Sequence, residues 1–177
     1  MRLDYNKKVM LKLVNDKPAL GKTSVMKMMF ILQQVFGMKM GYNFNIYTYG
    51  PYAAEVTDDL ETLIYNDFVG ADIYEYNNYM AYRLSITDHG RGLLDVLSLD
   101  DEQKITKVLS LFGDKKVKEL ELDTTIIYAK NIYIKNCWDE KKEDIVDYVH
   151  EIKPHFTFET IQNAYEKLEN EGMLTSL

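Results

Sequence analysis

Apolar residues recur at helical spacing along most of the chain, and this pattern predicts a mainly helical fold. Residues 3–15 carry apolar side chains every three or four positions, which places them on one face of an α-helix. Thr23 or Ser24 can cap a second helix, because a hydroxyl accepts the backbone N–H groups left unpaired in a first turn. A third helix is predicted over residues 51–66, with Pro51 in its first turn, where proline is favoured.

Two segments near these helices predict β-structure instead. Residues 42–49 alternate in the manner of a short strand, which Gly50–Pro51 then stops. Residues 73–86 predict a hairpin that turns at Asn77–Asn78, because asparagine tolerates the left-handed conformation of tight turns. A hairpin that follows a third helix occupies the position of a wing.

The second half of the chain predicts helices only. A helix capped by Thr87 or Asp88 should run through Leu97. The further predicted helices cover residues 100–112, 120–134, 140–152 and 157–172. Asp100 with Gln103 is predicted to cap the first of these helices, and Thr157 the last. The last two, separated at Lys153–Pro154, resemble a helix-turn-helix pair.

These patterns together predict a fold that is mainly α with a small β-hairpin or sheet. We expect a winged-helix-like unit in residues 1–98 and a helical extension in residues 99–177, packed together as one compact domain. A chain of 177 residues is long enough to bury a sizeable core.

Composition narrows the cellular context. The chain is 46% hydrophobic, but it has no stretch of about eighteen consecutive apolar residues, which a membrane-spanning helix needs. Lysines interrupt the apolar runs of the first residues, unlike the apolar segment of a signal peptide. The single cysteine, Cys137, cannot form an internal disulfide. We therefore expect a cytoplasmic protein that does not bind membranes.

Charge is divided unevenly along the chain. The net charge is −7, yet residues 1–50 carry +6 and residues 51–82 carry −7, with no Lys or Arg in the second segment. Local fields of this kind influence which partners approach which surface. The two segments therefore suggest two kinds of partner.

Nucleic-acid binding requires basic residues on the element that faces phosphate. The third predicted helix carries four acids and no Lys or Arg, so it is a poor recognition helix. The candidate nucleic-acid contacts are Lys7, Lys8, Lys12, Lys22, Lys27, Arg83 and Arg91. A solvated charged face is the alternative interpretation of the same residues.

A protein partner is the second possibility. Tyrosines flank the Gly50–Pro51 corner, and tyrosine is enriched at interface hot spots. The candidate protein-binding residues are Tyr49, Tyr52, Glu55, Asp58 and Asp59. Two alternatives remain open: the acids stabilise the positive end of a helix, and the corner is only architectural.

The sequence contains no complete motif for metal binding, phosphate binding or catalysis. Cys137, His150 and His155 match no zinc spacing, and a second cysteine is absent. Gly21–Lys22–Thr23 lacks the upstream glycine of a phosphate-binding loop. We therefore expect no metal, no cofactor and no catalytic residue.

Several of these motifs together resemble a known family. The segment Tyr49–Gly50–Pro51–Tyr52, the helix at residues 23–33 and the turn Lys153–Pro154–His155–Phe156 are similar to the YwgA-like family of predicted transcriptional regulators. The first 90 residues are also similar to the Panacea domain of SocA-type antitoxins.

The resemblance implies a winged-helix-like, non-enzymatic regulator. The alternative that it implies is an antitoxin or inhibitor that binds a protein through an acidic, tyrosine-rich surface. The expected partner is accordingly DNA or a protein, either a toxin or a regulatory protein, and a homodimer is compatible with both functions.

Overall fold

The computed structural model describes residues 3–76, 79–95 and 97–174, which form a mainly helical fold with two small antiparallel hairpins. The helices are α1 (Tyr5–Asp16), α2 (Lys22–Gln34), α3 (Ala54–Tyr65), α4 (Asp88–Arg91), α5 (Leu99–Phe112), α6 (Val117–Lys135), α7 (Lys142–Ile152) and α8 (Phe158–Asn170). The strands are β1 (Asn45–Tyr47), β2 (Gly50–Tyr52), β3 (Val69–Tyr76) and β4 (Tyr79–Ile86). The predicted mainly helical class with a small β-component is confirmed.

Helices α2 and α6 are the most deeply buried elements. Residues 24–32 of α2 are all buried, as are residues 120–127 of α6. Helix α6 packs against α2 and β2 on one side and against α7 and α8 on the other. One apolar core therefore includes side chains from both halves of the chain.

Two predicted helix caps are present as expected. Thr87 Oγ1 accepts a hydrogen bond of 2.9 Å from Gly90 N, and Thr157 Oγ1 accepts one of 3.2 Å from Thr160 N. The helix that begins after Thr87 is shorter than predicted, because α4 ends at Arg91 instead of Leu97. Glycine at positions 90 and 92 weakens continuation of this helix.

The predicted caps of α2 and α5 are wrong. Gly21 is the N-cap of α2, and it has no side chain with which to cap it. Ser24 is buried and lies within the helix, three residues after the cap position. Helix α5 is capped by Ser98, whose hydroxyl accepts from Asp101 N at 3.1 Å, so Asp100 lies in the first turn.

The Gly50–Pro51 segment is a strand and does not begin a helix. Gly50 pairs with Tyr47 and Pro51 with Ile46, so the strand β2 follows β1 through a two-residue turn. Helix α3 begins only at Ala54. Proline is acceptable here because a strand at a sheet edge does not need every N–H group for pairing.

Strand β1 is shorter than the predicted strand because a side chain binds the backbone before it. Gln33 Oε1 accepts from Tyr42 N at 2.9 Å, and Gln33 Nε2 donates to Tyr42 O at 2.8 Å. These bonds satisfy the backbone groups of Tyr42, which therefore lies outside the β1–β2 ladder. The paired part begins at Asn45.

The second predicted hairpin is confirmed and begins earlier than expected. Strand β3 starts at Val69 and pairs in register with β4, from Val69 opposite Ile86 to Tyr76 opposite Tyr79. The predicted turn at Asn77–Asn78 lies outside the described residues. Across the part of the chain that the structure describes, no helix combines the length and apolar character needed to cross a bilayer.

Candidate functional site

A cavity of about 490 Å³ lies between α2, the β1–β2 hairpin and α3. It is lined by Lys22, Thr23, Met26, Lys27, Tyr47, Thr48, Tyr49, Gly50, Tyr52, Val56, Thr57 and Leu60. Its volume is within the range of small-molecule sites, which are about 300–1,000 Å³. The cavity therefore brings Tyr49, Gly50 and Tyr52 together with two lysines of α2.

Two buried lysines donate hydrogen bonds to backbone carbonyls of the β1–β2 hairpin. Lys27, only 2% exposed, donates from Nζ to Pro51 O at 2.6 Å. Lys153, only 3% exposed, donates to Tyr47 O at 2.9 Å and also to Thr48 O. The hairpin is thus fixed through its carbonyl oxygens by one lysine from α2 and another from the turn between α7 and α8.

Glu121 of α6 balances part of this buried positive charge. Its Oε1 lies 3.1 Å from Lys153 Nζ and 3.3 Å from His155 Nε2. Both are ion-pair distances, but within the described residues this oxygen accepts no bond of hydrogen-bond geometry. One carboxylate oxygen therefore lies beside both Lys153 and His155.

The Lys27 ammonium is incompletely stabilised by these surroundings. Burial lowers the pKa of Lys27 to about 8, the charge of Glu121 raises it, and the charge of Lys153 lowers it further. Removing an ammonium from water disfavours its charged form. The effect of burial is greater than the stabilisation that Glu121 provides.

Gly50 is required by both its backbone conformation and its packing. Its φ angle is +88°, a conformation that L-residues with a Cβ rarely adopt. A Cβ at this position would lie 3.2 Å from Thr125 Oγ1, 3.3 Å from Glu121 O and 3.4 Å from Lys27 Nζ. Glycine therefore allows the hairpin to approach α6 and the buried ammonium closely.

Two of the five candidate protein-binding residues, Tyr49 and Tyr52, line the cavity. Tyr49 is 67% exposed, Tyr52 is half-buried, and Glu55 and Asp58 are exposed on α3. Asp59 is engaged internally. Its carboxylate accepts from Tyr42 Oη at 2.7 Å and lies 2.6 Å from Lys7 Nζ.

The hydroxyl of Tyr42 is correspondingly held in its neutral form. Burial, its hydrogen bond to Asp59 and the charge of that carboxylate all raise the pKa of Tyr42. Asp59 therefore joins α3 to α1 and to the segment before β1. Its role in the described structure is to hold these elements together.

Among the described residues, six of the seven candidate nucleic-acid contacts are buried or paired with a carboxylate. Lys27 is buried, which removes it from any surface that faces phosphate. The ion pairs of the other candidates are Lys7 with Asp4 and Asp59, Lys8 with Asp95, Lys12 with Asp16, Lys22 with Glu61, and Arg91 with Asp88. The Arg83 guanidinium lies over the Tyr74 ring at 4.1 Å.

Cys137, His150 and His155 serve other local contacts. His150 Nδ1 and Phe156 O are 2.9 Å apart, at hydrogen-bond distance, and His155 lies beside Glu121. Cys137 is exposed. Within residues 3–76, 79–95 and 97–174, no group of three or more His, Cys, Asp or Glu side chains is arranged to hold a metal.

Sequence reasoning missed Glu121 and Lys153 as parts of the site. For Lys27 a signal was present, because this lysine interrupts the apolar run from Val25 to Leu32. A charged residue on an otherwise buried helix needs a polar partner. The position of that partner, a carbonyl in a distant hairpin, depends on the tertiary fold.

No known family model matches the chain. It is similar to the uncharacterized protein YwgA of Bacillus subtilis (strain 168), with 28% identity over 151 residues. This likeness supports a YwgA-like family. The match covers 85% of this chain and 86% of YwgA, so the likeness to YwgA extends through both halves of the fold.

Proposed function

We propose that this protein is a non-enzymatic regulatory binding protein that recognises a protein partner at the mouth of the cavity. The contact surface, here called the hairpin face, consists of Tyr47, Tyr49, Glu55 and Asp58. The observation that carries the proposal is the exposure of two tyrosines of the β1–β2 hairpin, followed along the chain by two exposed carboxylates of α3. Tyr47 is 60% exposed and Tyr49 67% exposed, and neither Glu55 nor Asp58 forms an ion pair within the described residues.

The chemistry of the hairpin face favours a basic partner. Tyrosine supplies a broad contact area and is enriched at binding hot spots. Carboxylates of one sign steer a positively charged partner toward the surface. The partner surface should therefore present Lys or Arg around an apolar or aromatic centre.

Rigidity of the hairpin supports the same proposal. Lys27 and Lys153 fix three carbonyls of the β1–β2 hairpin from the interior. A surface that is already ordered loses less conformational entropy when it binds. An antitoxin or inhibitor that occupies a basic surface of another protein is the form of regulation that this arrangement favours.

Site-specific photocrosslinking tests the partner surface. A photoreactive residue at Tyr49 is compared, in cells of the source organism, with the same residue at Tyr65, which is 90% exposed and outside the hairpin face. We expect one protein adduct specific to position 49. Equal adducts at both positions, or none at position 49, would contradict the proposal.

Charge reversal then tests the acidic part of the hairpin face. Glu55→Lys with Asp58→Lys should slow association with the crosslinked protein by about tenfold at low salt, because steering of the basic partner is lost. The control is Asp72→Lys with Glu75→Lys, which changes two exposed acids of β3 by the same total charge. Equal association rates in both variants would place the interface elsewhere.

DNA is a second candidate partner, in line with the resemblance to predicted transcriptional regulators. The favourable observation is the β3–β4 hairpin, which follows α3 as a wing follows the third helix of a winged-helix domain. Because α3 carries no Lys or Arg, the phosphate contacts would have to come from α1, where Lys7, Lys8 and Lys12 lie. Their existing ion pairs would have to open on binding.

A salt titration tests this second candidate. If α1 binds DNA, changing Lys7, Lys8 and Lys12 to glutamine should reduce the slope of log affinity against log salt by about 0.9 for each phosphate that is no longer neutralised. Circular dichroism checks that the variant is folded. An unchanged slope would exclude α1 as the DNA-binding element, and no DNA binding at low salt would exclude this function.

A further inference from the structure

The lining of the cavity differs in charge from the hairpin face. Its lining includes two charged side chains, Lys22 and Lys27, and no Asp or Glu. The remaining lining is apolar or carries hydroxyl groups, with Met26, Val56 and Leu60 among the apolar residues. Such a lining, with a few polar groups among apolar ones, is typical of sites for small organic molecules.

The two lysines of the cavity are not equivalent. Lys22 lies 2.6 Å from Glu61 and 4.1 Å from the centre of the Tyr82 ring, so its charge is already compensated. Lys27 is buried and donates one hydrogen bond, to Pro51 O, within the described structure. An ammonium has three donors, so Lys27 has capacity for a further acceptor.

The charge balance beneath the hairpin also points to an anion. Glu121 is the acid whose charge acts on Lys27, and Lys153 lies 3.1 Å from it. Two buried ammonium groups therefore share one carboxylate. Since burying a charge is costly unless it is paired, an anion that enters the cavity would compensate the excess positive charge.

We propose that this cavity binds a small organic anion, a carboxylate with an apolar or aromatic body. The carboxylate accepts from Lys27, and the body lies against Met26, Leu60 and Tyr52. The volume of about 490 Å³ accommodates a body of one or two rings. The lowered pKa of Lys27 is consistent with a cation that lacks a full complement of partners.

This site is separate in chemistry from the hairpin face, and it does not rest on the proposed protein partner. The bound anion would lie beneath Tyr47 and Tyr49, which belong to both surfaces. It is therefore placed to act as an effector of whatever binds there. The two proposals have separate tests, because binding of the anion is measured without a partner.

The experiment uses benzoate as the probe and benzamide as its uncharged match. The full chain carries ¹³C-methyl methionine, and resonances are recorded during titration with each compound. Met26 lines the cavity, whereas Met173 is equally buried but does not line it. We expect benzoate to shift Met26 saturably, to leave Met173 unchanged, and to bind about tenfold more tightly than benzamide, since a charge-assisted hydrogen bond is gained.

Two further measurements assign the binding to Lys27. Lys27→Met should abolish the preference for benzoate over benzamide. In the unsubstituted protein, raising the pH above about 8 should weaken benzoate binding, because the ammonium loses its proton, and should leave benzamide binding unchanged. If Lys27→Met does not fold, the pH dependence of benzoate binding to the unsubstituted protein still tests the role of Lys27.

Three results would overturn the proposal. These are equal affinities for benzoate and benzamide, equal shifts of Met26 and Met173, and a benzoate affinity that does not change with pH in the unsubstituted protein. None of them bears on the photocrosslinking result at Tyr49. Loss of that crosslink would in turn leave the anion site unaffected.

Discussion

The lysines of this protein fall into two groups that behave differently. Lys7, Lys8 and Lys12 of α1 are partly exposed and pair with carboxylates at the surface. Lys27 and Lys153 are buried and bind main-chain carbonyls of one hairpin. The same residue type therefore forms local ion pairs in one region and fixes the hairpin in the other.

The energetic difference follows from solvent access. Exposed ion pairs contribute about 0–1 kcal/mol, because water and salt screen the charges. Removing one partner of a buried ion pair costs about 3–5 kcal/mol, because the remaining charge is left without compensation. Stability of the hairpin should therefore depend on the two buried lysines much more than on the basic residues of α1.

The largest effect is expected for Lys153→Met. This change leaves Glu121 without its nearby ammonium and leaves Tyr47 O and Thr48 O without their donor. We predict a decrease of about 3–5 kcal/mol in the free energy of unfolding, measured by urea denaturation.

Lys12→Met is the matched control for this comparison. It removes a lysine whose partner, Asp16, lies four residues away on the surface of α1 at 2.5 Å. The expected cost is about 0.3–0.5 kcal/mol. Similar decreases in the two variants would show that burial does not separate the two groups of lysines.

Much of the secondary structure could be predicted from local patterns. The predicted bounds of helices α1, α6, α7 and α8 lie close to the observed ones, because their apolar spacing and end signals agree. Thr87 and Thr157 are identified as caps for the same reason. These features depend on residues close together in the sequence.

The errors occur where a distant contact overrides a local preference. Proline is favoured in the first turn of a helix, which is why Pro51 predicts a helix start. In the structure Pro51 lies in a strand opposite Ile46, and its carbonyl oxygen accepts a hydrogen bond from Lys27 of α2. Gly21 caps α2 without a side chain, although Thr23 and Ser24 follow it. Tertiary packing decides both cases.

In the candidate site, too, some residues could be identified from local sequence and others only from the tertiary fold. The tyrosines and the acids of α3 could be named from the sequence, since their types alone suggest a binding surface. Glu121 and Lys153 could not, because they lie on α6 and after α7 and meet the hairpin only in the folded chain. The sequence shows that both residues are charged, but it does not show that they are buried together.

Gly50→Ala provides a second test of the buried region. It forces a Cβ residue into a φ of +88° and brings that Cβ within 3.4 Å of Thr125, Glu121 and Lys27 atoms. The left-handed conformation alone costs about 1–2 kcal/mol, and crowding adds to it. We expect a total decrease of about 2–3 kcal/mol in the unfolding free energy from urea denaturation, of which crowding contributes about 1 kcal/mol.

Gly41→Ala separates the two causes. Gly41 also has a positive φ, +73°, but a Cβ there would meet nothing within 4 Å. Its substitution should therefore show the cost of backbone conformation alone. If the two alanine variants are equally destabilised, the close approach of the hairpin to α6 makes no contribution.

The third prediction concerns pH and Lys27. The pKa of this lysine falls from an ordinary 10.5 to about 8 on folding, mainly because of burial. Below pH 8 both folded and unfolded chains bind the proton, so the folded state carries the full cost of the buried charge. Between pH 8 and 10.5 the unfolded chain binds more protons, and stability should rise by up to about 1.4 kcal/mol per pH unit.

Comparison with Lys27→Met isolates this effect from the titration of tyrosines and other lysines, which both proteins share. Urea denaturation at several pH values gives the difference in unfolding free energy between the two. That difference should be constant below pH 8 and should shift in favour of the unsubstituted protein as the pH rises toward 10. Parallel curves would show that Lys27 keeps an ordinary pKa, and the distinction between the buried and surface lysines would then rest on geometry alone.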